Sequence, residues 1–208
     1  MLRLGVLVSG GGTNLQAIID RIGSGDITDT EIAVVIASRE DAYALKRAEE
    51  NGIRCLSVVP GRFTDKSSYE EALAGALDEA GAELIVLAGF MIVLSGGFVK
   101  KYEGRIINIH PSLIPSFCGN GCYGLKVHEK VLDRGVKITG ATVHFVDSGT
   151  DTGPIIMQKA VKVLKEDTPE SLQRRVMEEA EWEILPAVIN AFAHNRIILE
   201  DNRAYMEE

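Results

Sequence analysis

A chain of 208 residues with 46% hydrophobic content can bury a full core, and its length fits one α/β domain better than two. Its net charge of −8, with no basic block, argues against a nucleic-acid surface, although a local anion site remains compatible with it. No apolar run approaches the roughly 20 residues that a bilayer crossing needs, so no membrane partner is expected.

Residues 2–9 read as a short buried strand rather than a signal peptide, because the apolar burst runs into glycines and lacks a small-residue cleavage site. Gly10-Gly11-Gly12 follows, and residues 13–20 have helical apolar spacing. Strand, glycine loop and helix together aim free backbone N–H groups at an anion. The loop lacks the lysine of a nucleotide P-loop, and Leu15 stands where the dinucleotide fingerprint needs a third glycine. A single phosphate monoester held by the loop amides, Thr13 and Asn14 fits the pattern. A tight turn whose glycines serve only packing is the alternative.

Residues 31–38 predict a second strand and residues 43–51 a helix closed by Gly52. A third strand over 54–59 ends at Pro60-Gly61, and a helix over 66–80 is capped by Gly81. Residues 83–88 are apolar throughout, as a strand covered on both faces should be. This alternation predicts a parallel sheet with right-handed crossovers and a ligand at its carboxyl edge. Residues 89–94 fall at that edge. A backbone-rich apolar loop there suits a flat aromatic ligand, but by pattern alone Met91 and Leu94 are more simply core residues.

Residues 105–107 predict a strand that ends at Asn108, after which Pro111 and Pro115 hold the chain extended. Asn108 and His110 then share one face of the strand end. A carboxamide and an imidazole held there are the parts that stabilise a developing oxyanion, unless they merely bond loop backbone. Residues 117–124 form an unassigned loop. Its Cys118 and Cys122, with His110 and His128, have loose zinc spacing but no second ligand pair, so no metal is expected. Three cysteines, an odd number, fit a reducing, cytoplasmic setting.

A helix over 126–134 precedes two strands, 140–146 and 155–163, joined by a turn-rich loop and therefore an antiparallel addition to the sheet. Thr168 and Pro169 open a last long helix that runs through Trp182 toward His194. A loop carboxylate beside His110 would favour its charged form, and Asp147 and Asp151 both qualify.

Four stretches carry a resemblance: Ser9-Gly10-Gly11-Gly12-Thr13-Asn14-Leu15-Gln16-Ala17-Ile18, Leu87-Ala88-Gly89-Phe90-Met91, Asn108-Ile109-His110-Pro111-Ser112-Leu113, and Asp151-Thr152-Gly153-Pro154-Ile155. In this order they resemble the folate-dependent formyltransferases, in the branch that acts on phosphoribosylglycinamide in purine biosynthesis, and the likeness covers nearly the whole chain. It implies a Rossmann-like, mainly parallel sheet flanked by helices, with an antiparallel C-terminal addition. It implies a single domain over 1–208, with a phosphate-binding half of about 1–100 and a folate and catalytic half of about 101–208.

By the same resemblance, the glycinamide amine attacks the formyl carbon of 10-formyltetrahydrofolate. Asn108 and His110 bind the oxyanion, and Asp151 keeps the imidazole charged and helps relay the amine's proton through water. Gly12, Thr13 and Asn14 match the phosphate loop, and Glu181 a ribose contact. Met91, Ile92, Val93 and Leu94, with Asn108 and Lys66, match the folate side. Small-molecule substrates, no nucleic acid, and a monomer or homodimer are implied. Departures are Lys66 and Ile92, where some relatives carry arginine, the inserted residues 118–124 in place of Pro-Gly, and Thr150 in place of an aliphatic residue.

Three other functions compete. A formyltransferase acting on initiator tRNA needs a further nucleic-acid-binding domain and a basic surface. A formyltetrahydrofolate hydrolase has no use for a phosphate loop. A non-catalytic folate- or phosphate-binding module leaves the donor pair and its carboxylate without a task.

Overall fold

The apolar N-terminal run becomes β1 (Leu2–Val8), buried from Leu4 onward, and it occupies the middle of a seven-stranded sheet. The structure, a computed structural model, describes residues 1–207. The other strands are β2 (Thr30–Ala37), β3 (Cys55–Ser57), β4 (Leu84–Leu87), β5 (Ile106–His110), β6 (Ile138–Phe145) and β7 (Ile155–Lys162), in the spatial order β3-β2-β1-β4-β5-β6-β7. The first five in sequence pair in parallel, whereas β6 and β7 add antiparallel to β5. This is the expected architecture. Neighbouring β1 on either side are β2 and β4, whose crossovers leave in opposite directions, which opens a crevice above its carboxyl end.

Helices cover both faces, as continuously apolar parallel strands require. Against one face lie α1 (Thr13–Ser24), α2 (Tyr43–Glu50), α5 (Leu125–Arg134), α6 (Pro169–Val176) and α7 (Trp182–Ala193), burying Leu15, Ile18, Val127, Leu172 and Leu185. Against the other lie α3 (Lys66–Glu79) and α4 (Gly96–Lys101), burying Tyr69, Leu73, Leu77, Phe98 and Tyr102.

Five features differ from the sequence expectation. The third strand is only three residues long, because Pro60 opens a 3₁₀ turn. Strand β5 does not end at Asn108 but continues to His110, since β6 pairs across it as far as His110 opposite Thr142. The last long helix is broken by a π-helical segment, Met177–Glu181. Helix α4 and a terminal hairpin, β8 (Ile197–Glu200) with β9 (Arg203–Met206), were not expected. The hairpin turns on Asp201 and Asn202, both left-handed as a type I′ turn demands. Among the described residues, no helix is long and apolar enough to cross a membrane.

Candidate active site

The glycine loop after β1 earns its composition at Gly12, which sits at φ 70°. A Cβ there would lie 2.6 Å from the Cβ of Ala44, so only glycine lets α2 pack this close. Gly12 is also the N-cap of α1 and supplies no side chain to its first turn. The first-turn N–H groups therefore stay open toward the cleft. Arg47 braces the loop from behind, donating from Nε to the Gly11 carbonyl at 2.8 Å.

Asn14 is buried and donates from Nδ2 to Oε2 of Glu181 at 2.6 Å, while its Oδ1 has no partner. Glu181 reaches it from the end of the π segment, an irregularity that recurs at functional sites. Burial pushes the Glu181 carboxyl up to about 7, with the Asn14 amide pulling the other way. Thr13 lies beside this pair, its hydroxyl 3.6 Å from the Met177 sulfur.

On β5, Asn108 and His110 point to the same face. Asn108 stands directly opposite His144 of β6 and donates from Nδ2 to its Nε2 at 3.1 Å. That requires the proton of neutral His144 to be on Nδ1, which donates to the Phe145 carbonyl at 2.7 Å. Burial lowers the pKa of His144, which agrees with a neutral ring. His110 donates from Nε2 to the Phe117 carbonyl at 3.0 Å. Its Nδ1 faces Oδ2 of Asp151 at 3.6 Å, too far for a formed hydrogen bond.

Asp151 adopts the left-handed φ of 58° and stands between two histidines, with Oδ1 3.8 Å from Nε2 of His144. Its Oδ2 also accepts the Gly119 N–H at 2.8 Å. Asp147, the other carboxylate the sequence offered, instead accepts from the Gly149 N–H at 3.0 Å and the Thr152 hydroxyl at 2.6 Å. It staples its own loop, and of the two carboxylates Asp151 is the one beside His110.

These groups line one cleft of about 940 Å³. Residues 12–14, Asn108, His110, Asp151 and Glu181 are brought together there, and Met91, Ile92, Val93 and Leu94 also line it. Met91 and Val93 are exposed, whereas Leu94 is buried in the core with α4. Lys66 is the exception. It sits half-exposed at the start of α3, 3.8 Å from Glu70, and does not line the cleft. The four-residue group of Cys118, Cys122, His110 and His128 does not gather, and no three metal-capable side chains converge among the described residues.

Three residues that line the cleft were given no catalytic or binding role by the sequence, His128 entering only in the rejected metal set. His144 was legible only as the one titratable residue of an otherwise small and apolar strand. His128 is fully buried with neither ring nitrogen bonded, and burial takes its pKa down to about 4, helped by nearby His110. Ser9, buried beneath the glycine loop, gave no signal beyond its position at a strand end.

Residues 2–189 match the profile of a family described as formyl transferase. The chain belongs to that family. This formyl transferase is 39% identical over 207 residues to a phosphoribosylglycinamide formyltransferase of Haemophilus influenzae, covering 100% of this chain and 94% of that one. It is 38% identical over 202 residues to the enzyme of the same name from Escherichia coli, covering 97% and 92%. The crystal structure of glycinamide ribonucleotide transformylase 1 from Symbiobacterium toebii superposes with a TM-score of 0.93 at 44% identity, covering 100% of this formyl transferase and 95% of that chain. The fold, the crevice and the family membership therefore agree that this is a transferase enzyme.

Proposed function

We propose that this formyl transferase moves the formyl group of 10-formyltetrahydrofolate onto the amine of 5-phosphoribosylglycinamide, a step of purine biosynthesis. The observation that carries the reading is the convergence of Asn108, His110 and Asp151 in the cleft that also receives the glycine loop. A phosphate monoester fits the open amides of residues 12–14. The partnerless Oδ1 of Asn14, beside the Glu181 carboxyl, offers acceptors for ribose hydroxyls. The folate ring fits against Met91, Ile92 and Val93, with its formyl group toward Asn108. In this reading, the phosphate loop and the folate wall of residues 91–94 both come from the first half of the single domain, not folate from the second, and the catalytic groups come from the second half, which also lends Glu181 to the phosphate side.

The amine nitrogen attacks the formyl carbon, and the carbonyl oxygen becomes an oxyanion. The second Nδ2 hydrogen of Asn108, not engaged by His144, is one donor. The Nδ1–H of protonated His110 is the other, since its long approach to Asp151 leaves capacity for a closer oxygen. Asp151 supplies the countercharge and passes the amine's proton on through water. Collapse breaks the bond to the folate N10, which leaves with a proton, and releases formylated product and tetrahydrofolate.

The test is an assay for formyl transfer from 10-formyltetrahydrofolate with and without the ribonucleotide. The reading requires turnover only when both are present. Formate release without the ribonucleotide marks a hydrolase instead, and saturable folate binding without turnover marks a binding module.

A further inference from the structure

Ser9 lies at the carboxyl end of the central strand, where the two substrate loops of the proposed reaction meet. Its backbone N–H donates to the Gly89 carbonyl at 3.1 Å. Its hydroxyl oxygen accepts the Met91 N–H at 2.9 Å, and it shares a second hydrogen bond with the Ser38 hydroxyl at 2.7 Å. Ser38 in turn is tied to β1 by its N–H on the Val8 carbonyl at 3.0 Å. Ser9 and Ser38 are both buried, so the bond between their hydroxyls is shielded from water. The next residue, Gly10, begins the phosphate loop and accepts the Ala44 N–H at 3.1 Å.

We propose that Ser9 is a positioning residue that couples the two substrate sites, transmitting the ordering of the phosphate loop to the folate loop. The inference rests on the two-substrate reading above. Its physical basis is a short chain of bonds anchored on two buried serines. Met91 carries one of the two exposed side chains of the folate wall, and its amide is held by the residue that directly precedes Gly10. Fixing residues 10–14 on a phosphate fixes the Ser9 hydroxyl, and that hydroxyl sets the Met91 backbone. By linkage the effect runs equally in the other direction. The order of strands makes this possible: β1 lies between β2 and β4, so the turn after β1 sits between the loops that follow them.

The experiment measures the Kd of phosphoribosylglycinamide by calorimetry, alone and with saturating tetrahydrofolate, which has no formyl group to transfer. For the unmodified enzyme, the Kd should fall by about 5-fold or more when folate is present, the lower range of ordinary coupling. In Ser9→Ala the change should shrink to below about 2-fold, although each ligand alone still binds. Ser9→Thr, which keeps the hydroxyl, should restore coupling. Ser38→Ala, which leaves the Met91 bond in place, should retain more coupling than Ser9→Ala. Independent binding in the unmodified enzyme, or coupling unaltered in a folded Ser9→Ala, overturns the inference. Failure of either ligand to bind the unmodified enzyme overturns the substrate assignment instead.

Discussion

Each active-site residue has a role that can be separated by substitution. Removing the carboxamide in Asn108→Ala takes away one oxyanion donor, and kcat should fall by about 10²–10³. His144 bonds to that carboxamide, so the same substitution also leaves a buried Nε2 without its donor. His110→Ala should abolish most transfer while ribonucleotide affinity, measured by calorimetry, stays within about threefold, because the phosphate loop is untouched. Glu181 gives a pH prediction. Its carboxyl is raised from 4.5 to about 7, so the folded state holds a proton that the unfolded chain releases earlier. That contribution is complete below about pH 4.5 and is lost as pH climbs through 7, amounting to about 3 kcal/mol. Glu181→Gln should therefore gain stability relative to the unmodified enzyme between pH 5 and pH 7.5 in denaturant titrations, while its KM for the ribonucleotide rises. A stability difference that stays flat across that range would contradict the burial argument.

At the scale of elements, the glycine loop and α3 make opposite predictions. Gly12→Ala forces a Cβ against Ala44 at a left-handed φ, so it should cost about 1–3 kcal/mol and raise the KM for the ribonucleotide more than that for folate. Equal effects on both would remove the phosphate assignment. Tyr69 of α3 instead buries a hydroxyl with no partner, and burial pushes its pKa up to about 12. Tyr69→Phe removes an unsatisfied group, so thermal unfolding should show equal or greater stability, by up to about 1 kcal/mol.

The same elements show what sequence reading can reach. Strands β1, β2 and β4 were legible because they are apolar on both faces. The helices they feed were legible from apolar spacing and from end signals such as Gly81 and Thr168. Helix α4 was not, because six residues with two glycines carry no periodicity. The π segment was hidden because one extra residue in a turn leaves the local composition of a helix unchanged, although it is what turns Glu181 toward Asn14.

Across the whole molecule, the site depends on contacts that no local pattern contains. Asn108 and His110 were found because two residues on one strand face are a local fact. Which of Asp147 and Asp151 stands beside His110 was not a local fact; across the fold it is Asp151, 3.6 Å from the imidazole Nδ1. His144 meets Asn108 only because β6 joins the sheet antiparallel, in a register that puts the two residues opposite each other. The cleft is thus a product of topology: a parallel half brings the glycine loop, and an antiparallel half brings the Asp151 carboxylate and a second imidazole.

The most direct test is a crystal structure of this enzyme with phosphoribosylglycinamide and a folate analogue bearing a ketone hydrate in place of the formyl group, which imitates the tetrahedral intermediate. One hydrate oxygen should lie about 3 Å from both Nδ2 of Asn108 and a ring nitrogen of His110, with Asp151 still beside the imidazole. A hydrate oxygen bound by other groups, with Asn108 and His110 contacting only protein, would contradict the account.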